Sequence, residues 1–268
     1  MRVTREGVSL ATAAVLAVAV VSVSSQQPKI GYDDTPMQPN GKWHIHDGKR
    51  PQPRIVTPGA TPGAAPADAK VLLGTGADTG AWQTTDGKPI PWPMKDGVLQ
   101  SGKGMIETKE QFSDFQLHVE FATPKEVKGD GQGRGNSGVF LLGVFEIQVL
   151  DSDQNPTYPD GQASAMYGQY PPLVNASRGP GEWQSYDIVF TAPRFNSSGA
   201  VDKPAIVTVF HNGVVVHNAN AFLGPTEHKI IGKYDPKQMK GPLRLQDHGN
   251  PVHFRNIWIR QLKGYDEQ

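Results

Sequence analysis

Two short runs in this chain of 268 residues put hydrogen-bonding side chains where an apolar strand is expected. In GRGNSGVFLLGVFEIQVLDS, residues 133–152, Glu146 and Gln148 interrupt the second apolar run. Side chains two apart on a strand share a face, so Phe145, Ile147 and Val149 point one way and Glu146 and Gln148 the other. In LRLQDH, residues 243–248, Arg244, Gln246 and His248 share a face while Leu243 and Leu245 point to a core. Just beyond, His253 and Arg255 share a face opposite Val252 and Phe254. Guanidinium and amide groups bond in planar fashion, which suits vicinal hydroxyls and carbonyls. His248 has an unperturbed pKa near neutrality, making it the first candidate for general acid or base. Glu146 is the second catalytic candidate. Glu120, Asn136, Gln148, Arg244, Gln246, His253 and Arg255 form the candidate substrate-binding set. Taken singly, each is as well explained by a solvated sheet face; the recurrence of the habit in separate strands favours a ligand face.

Conventional glycoside hydrolysis needs two carboxyl groups about 5–9.5 Å apart. Glu146 and Asp151 would lie about 16 Å apart on opposite faces of a regular strand. Glu120 could approach Glu146 from another strand, but no spacing forces it. Asp151-Ser152-Asp153-Gln154-Asn155 begins like a calcium loop, yet Pro156 and Gln162 break the EF-hand pattern. Asp151 is left as the candidate ligand of an irregular divalent-cation site, and no other cofactor is expected. His44 and His46 in KWHIHDG are spaced as metal ligands on a strand, with surface histidines beside Trp43 as the favoured reading.

The elements that must position these groups read as strands. With 30 Gly and 23 Pro, the composition suits many short strands joined by turns. Residues 115–121, FQLHVEF, alternate apolar and polar. Residues 183–191 and 205–210 read as further strands, the latter leading through His211-Asn212-Gly213 into 214–217, an Asn-Gly hairpin. Residues 242–248 and 252–262 are expected to pair across Gly249-Asn250-Pro251. The predicted fold is an antiparallel β-sandwich, a jelly roll with one curved sheet carrying the polar face. Equal numbers of acidic and basic residues, 26 each, give no support for nucleic acid or anionic membrane as partner. Without cysteine there is no disulfide framework.

Arg2 and Arg5, an apolar stretch over residues 8–21 and Ser22-Val23-Ser24 have the order of an export signal. The apolar stretch is short for a membrane span, and a retained anchor is the alternative. The expected organisation is a signal peptide over 1–24, a Pro/Gly-rich extension or strap over 25–67, and a β domain over 68–264, secreted or periplasmic.

GRGNSGVFLLGVFEIQVLDS, GEWQSYDIVFTAPRF, VTVFHNGVVVHN and GPLRLQDHGNPVHFRNIWIR, in that order, resemble the 3-keto-disaccharide hydrolase family. That family, once a domain of unknown function, is also described as 3-keto-glucoside lyase and hydratase. The resemblance covers roughly residues 69–263, and GYDDTPMQPNGKWHIHDGKRPQP resembles an N-terminal extension of one branch. It implies a concanavalin A-like jelly roll acting on glycosides oxidised at C3. A C3 ketone acidifies the C2 proton; its removal gives an enolate that expels the C1 substituent, and water then adds to the glucal. Such a route needs one base near C2 and stabilisation of the enolate oxygen. His248 or Glu146 would serve as base, and Arg244, Gln246 or a cation as stabiliser. The competing expectations are a conventional glycoside hydrolase and a carbohydrate-binding module using Tyr167, Tyr170 and Trp183 as stacking platforms.

Overall fold

The computed structural model describes residues 30–76 and 78–267; the expected export signal, residues 1–24, lies outside the described residues. The chain divides into two units, Met1–Gln52 and Pro53–Gln268. In the first, Met37 bridges His44 across a tight turn, with Gln38 N donating to Trp43 O. His44 Nδ1 meets the Thr35 carbonyl, while His46 takes a left-handed conformation (φ 58°) edge-on to Tyr32. The left-handed residue breaks strand alternation, so the strand-face histidine pair suggested by the spacing is not formed.

The second unit is built from strands β1 (Lys70–Leu73), β2 (Trp82–Thr84), β3 (Met94–Lys95), β4 (Val98–Gln100), β5 (Ile106–Thr108) and β6 (Phe115–Ala122). These are followed by β7 (Ser137–Leu141), β8 (Phe145–Val149), β9 (Gln184–Thr191), β10 (Arg194–Phe195), β11 (Val201–Lys203) and β12 (Ile206–His211). The last are β13 (Val214–Ala221), β14 (Thr226–Glu227), β15 (Ile230–Ile231), β16 (Arg244–Leu245) and β17 (His253–Gln261). One sheet runs β13-β12-β9-β6-β17-β4-β3 with β1 also on β17; the other runs β2-β5-β16-β7-β8. Both are antiparallel. The Asn212-Gly213 turn closes β12 onto β13 with both residues at positive φ, as a two-residue hairpin loop demands.

The sheets pack face to face over one core. Leu117, Val119, Phe121, Tyr186, Ile188 and Phe190 project from the larger sheet, and Val139, Leu141, Phe145, Ile147 and Leu245 from the smaller. Phe145 and Phe190 meet across the interface with ring centres 5.8 Å apart. Buried polar tips that reach across are paired: Tyr186 Oη donates to the Gln148 carbonyl (2.7 Å) and Trp82 Nε1 to the Leu72 carbonyl (2.8 Å).

The expected pairing of residues 242–248 with 252–262 does not occur. β16 is flanked on both edges by β5 and β7, and β17 by β6 on one side and β1 and β4 on the other. Neither has a free edge for the other, so the chain passes from one sheet to the other at residues 249–251. Asn250 fixes this crossover. Its Oδ1 accepts from Gly135 N (2.8 Å), its carbonyl from Ser101 Oγ (2.5 Å), and its Nδ2 donates to the His248 carbonyl (3.1 Å).

Residues 53–69 lie with the second unit, along the outer face of the larger sheet. The Gly63 carbonyl accepts from Asn256 Nδ2 (2.9 Å) and Trp258 Nε1 (2.8 Å), and Asp68 pairs with Arg54 and Arg260. Among the described residues no helix is long and apolar enough to cross a membrane.

Candidate active site

β8 is the edge strand of the smaller sheet, and its alternation sets the site. Phe145, Ile147 and Val149 enter the core, so Glu146 and Gln148 leave the opposite face. That face is roofed. Residues 164–167 run along the β8 edge, with Ser164 N bonded to the Gln148 carbonyl (2.8 Å) and Tyr167 N to the Glu146 carbonyl (3.3 Å). Along the same edge Thr226 Oγ1 accepts from Glu146 N (2.9 Å), anchoring the β14–β15 hairpin. Under this roof Glu146 is 4 % exposed and Gln148 1 %.

A cavity of about 410 Å³ opens here. Its floor carries Phe140, Glu146, Gln148 and Gln246, with Gln132 and Asn136 from the preceding Gly-rich turn. Tyr158, Tyr167, Thr226, Glu227 and His228 form the roof, and His248 stands beside Gln246. Burial pushes the Glu146 carboxyl up to about 8, because no cation compensates the lost water. Its neighbours are amides. With its nitrogen toward Gln132, Gln148 donates to Gln132 Oε1 (3.0 Å); turned over, it donates to Glu146 Oε1 (3.0 Å) and the Ser137 carbonyl (3.1 Å). Gln246 Oε1 is buried without a hydrogen-bond partner, an acceptor that a ligand hydroxyl would satisfy. In the roof Tyr167 Oη lies 3.1 Å from Tyr158 Oη and 3.0 Å from His228 Nδ1. Burial first, and then the bond to Tyr158, raise the Tyr167 hydroxyl's pKa, with the Glu146 charge adding to them. Tyr167 is therefore a donor throughout the working pH range.

The structure thus brings together Glu146, Gln148, Asn136, Gln246 and His248, from two runs a hundred residues apart. It separates four other expected residues from them. Arg244 projects from the same sheet, but its guanidinium is held by Glu107 (2.8 Å) and the Gly143 carbonyl (3.0 Å) and does not line the cavity. Glu120, His253 and Arg255 belong to β6 and β17 and so to the larger sheet. There Arg255 Nε pairs with Glu120 (2.6 Å) and the guanidinium stacks on Trp183 at 3.9 Å. These three are removed from the binding set because alternation shows which residues share a strand face, not which sheet the strand joins.

The Asp151 carboxylate is likewise engaged within the protein. Its Oδ2 accepts from Arg134 Nε (2.7 Å) and its Oδ1 from Asp153 N (3.2 Å), while Asn155 bonds the Asp151 and Gly131 carbonyls. The acidic loop knits itself to the Gly-rich turn instead of wrapping an ion. Among the described residues no three His, Asp or Glu side chains cluster to hold a metal, so the residues present do not fit the divalent cation considered above. The roof residues Tyr158, Thr226, Glu227 and His228 were not foreseen. Tyr158 sits in a loop and His228 in a turn, and Thr226–Glu227 form a two-residue strand, too short for periodicity to assign a direction.

A roofed cavity lined by amides, a carboxyl and aromatic rings on one sheet of an antiparallel β-sandwich suits a small polar ligand. Residues 68–260 match the 3-keto-alpha-glucoside-1,2-lyase-like domain, and the chain belongs to that family. A Bacteroides thetaiotaomicron protein named 3-keto-disaccharide hydrolase is 22% identical over 238 residues, covering 73% of this chain and 79% of its own. A crystal structure from Parabacteroides distasonis, provisionally named a glycosyl hydrolase, is 44% identical with a TM-score of 0.76, covering 85% of this chain and 100% of that one. A second from the same organism, at 19% identity and TM-score 0.55 over 73% of this chain and 94% of that one, shares the fold.

Proposed function

We propose that this chain is an exported bacterial enzyme that cleaves glycosides oxidised at C3 of the sugar, by proton abstraction, elimination and hydration. The observation that carries the reading is Glu146, a buried carboxyl among amides with its pKa raised to about 8. A base works best when its pKa lies near the operating pH. Glu146 takes the C2 proton, and the C–H electron pair becomes the enolate of the C3 ketone. The enolate then forms the C1–C2 double bond as the C1–O bond breaks, and His248 gives the departing oxygen its proton. Water adds at C1, returning a proton to His248, and Glu146 reprotonates C2. Gln148 and Asn136 amides stabilise the enolate oxygen, while Gln246 Oε1 accepts from a sugar hydroxyl. Family membership supports the substrate class, and two antiparallel sheets over one core support a concanavalin A-like jelly roll.

The order of assignments differs from the expectation that His248 is the base. His248 is exposed, and no hydrogen bond orients its ring, whereas Glu146 is fixed. A second reading, conventional hydrolysis, rests on Glu227, a second carboxyl lining the same cavity. The test is turnover of methyl 3-keto-α-glucoside against its unoxidised parent. Consumption of the ketone alone, with kcat/KM rising with pH through about 8 and a loss of about 10²–10⁴-fold in Glu146→Gln, is expected. Turnover of the parent, abolished by Glu227→Gln, selects hydrolysis; binding without turnover of either selects a carbohydrate-binding module. Recovery of the chain from culture medium or periplasm with residues 1–24 removed checks export.

A further inference from the structure

The sugar cavity has a neighbour. A second hollow of about 380 Å³ is lined by Ile230 and Ile231 of the β14–β15 hairpin, by Tyr158 and Tyr167, and by His228. Tyr158, Tyr167 and His228 line both cavities. The hydroxyls of the two tyrosines and His228 Nδ1 are bonded in a row, and Tyr167 and His228 lie nearly parallel (20°), so the two spaces share one aromatic wall. Their chemistry differs. The first offers amides and a carboxyl; the second offers isoleucine side chains that are 60% and 55% exposed and flat rings, with Asp160 and Lys229 of opposite charge beside them.

Isoleucines left open to water beside a catalytic cavity lower the free energy of an apolar occupant that covers them. A sugar ring with C2 at Glu146 and C1 toward the wall of Tyr158 and Tyr167 directs its C1 substituent into the second space, which shares that wall. We infer that this hollow is the leaving-group subsite, and that it selects substrates whose C1 substituent is an apolar or aromatic ring over those carrying a second sugar. The inference rests on the proposed function and narrows its substrate class. Hydroxyls of a second sugar would lose water against Ile230 and Ile231 without gaining partners, whereas an aromatic ring stacks on Tyr158 or Tyr167.

The experiment compares benzyl 3-keto-α-glucoside and methyl 3-keto-α-glucoside, whose leaving alcohols are of similar basicity, and sets beside them a 3-keto-disaccharide. The full-length wild type and the exposed-hairpin variant Ile230→Ser/Ile231→Ser are assayed on each. The benzyl compound should exceed both others about tenfold in kcat/KM, and the variant should lose about that factor on it alone, the lower end of what one methylene is worth in an apolar pocket. Equal rates on benzyl and methyl compounds, a faster disaccharide, or equal losses on all three substrates overturns the subsite while leaving the proposed function intact. If the wild type turns over none of them, the proposed function falls and the subsite is judged by calorimetry with benzyl α-glucoside. Binding about tenfold weaker in the variant then supports it, and unchanged binding overturns it.

Discussion

Glu146 owes its position to a residue with no side chain. Gly138 lies on the neighbouring strand, one diagonal step from Glu146, and a Cβ there would stand 2.2 Å from Glu146 Oε1. The Gly138 backbone is not left-handed, so alanine suits the chain and clashes first with the carboxyl and then with the Phe140 ring edge (2.9 Å). Gly138→Ala should therefore fold normally yet lower kcat/KM by about 10²-fold, the order of loss for an ångström of misplacement. Circular dichroism with steady-state kinetics reads both parts; full activity would mean that the carboxyl's position does not matter. At this scale Glu146, Gln148, Gln246 and His248 were legible as one set, because polar residues interrupt the apolar alternation in two separate runs. Gly138 was not: an empty place is visible only once the neighbouring strand is in register.

A single bulge decides which residues of β17 reach the core. Strict alternation from Phe254 would carry Trp258 inward and leave Ile257 and Ile259 in solvent. Instead the register shifts between Arg255 and Trp258, with Asn256 at φ 45°. Phe254, Ile257 and Ile259 all enter the core, and Trp258 stacks on His118 on the outer face (ring centres 5.4 Å). Asn256 pays for its left-handed backbone by donating to Glu120 Oε1 (2.8 Å) and the Gly63 carbonyl. Asn256→Val should cost about 2–3 kcal/mol, from a β-branched residue at positive φ and two lost hydrogen bonds. Asn256→Gly, which keeps the backbone, should cost less, and urea unfolding of the two separates the contributions. The strands at 115–121, 183–191 and 205–217 were legible from alternation and the Asn-Gly turn. The partner of β17 was not, since pairing is set by which edges are already occupied.

Across the whole molecule, the raised pKa of Glu146 couples the site to stability. The unfolded chain releases this proton near the ordinary glutamate value of 4.5, while the folded chain holds it until about 8. The stabilisation is complete below pH 4.5 and is lost as pH rises through about 8. Glu146→Gln removes the titration, so its Tm relative to wild type should climb across that window, and a pH-independent difference would contradict the assignment.

The cavity also has no local precursor. Gln132, Glu146, Tyr167, His228 and Gln246 arrive from segments spread over more than a hundred residues, and Gln246 is placed only when β16 slots between β5 and β7. Loops of that length close late. Catalytic competence is therefore all-or-none during folding: a chain with its hairpins formed but β16 still outside holds every reactive group and has no site in which to use one.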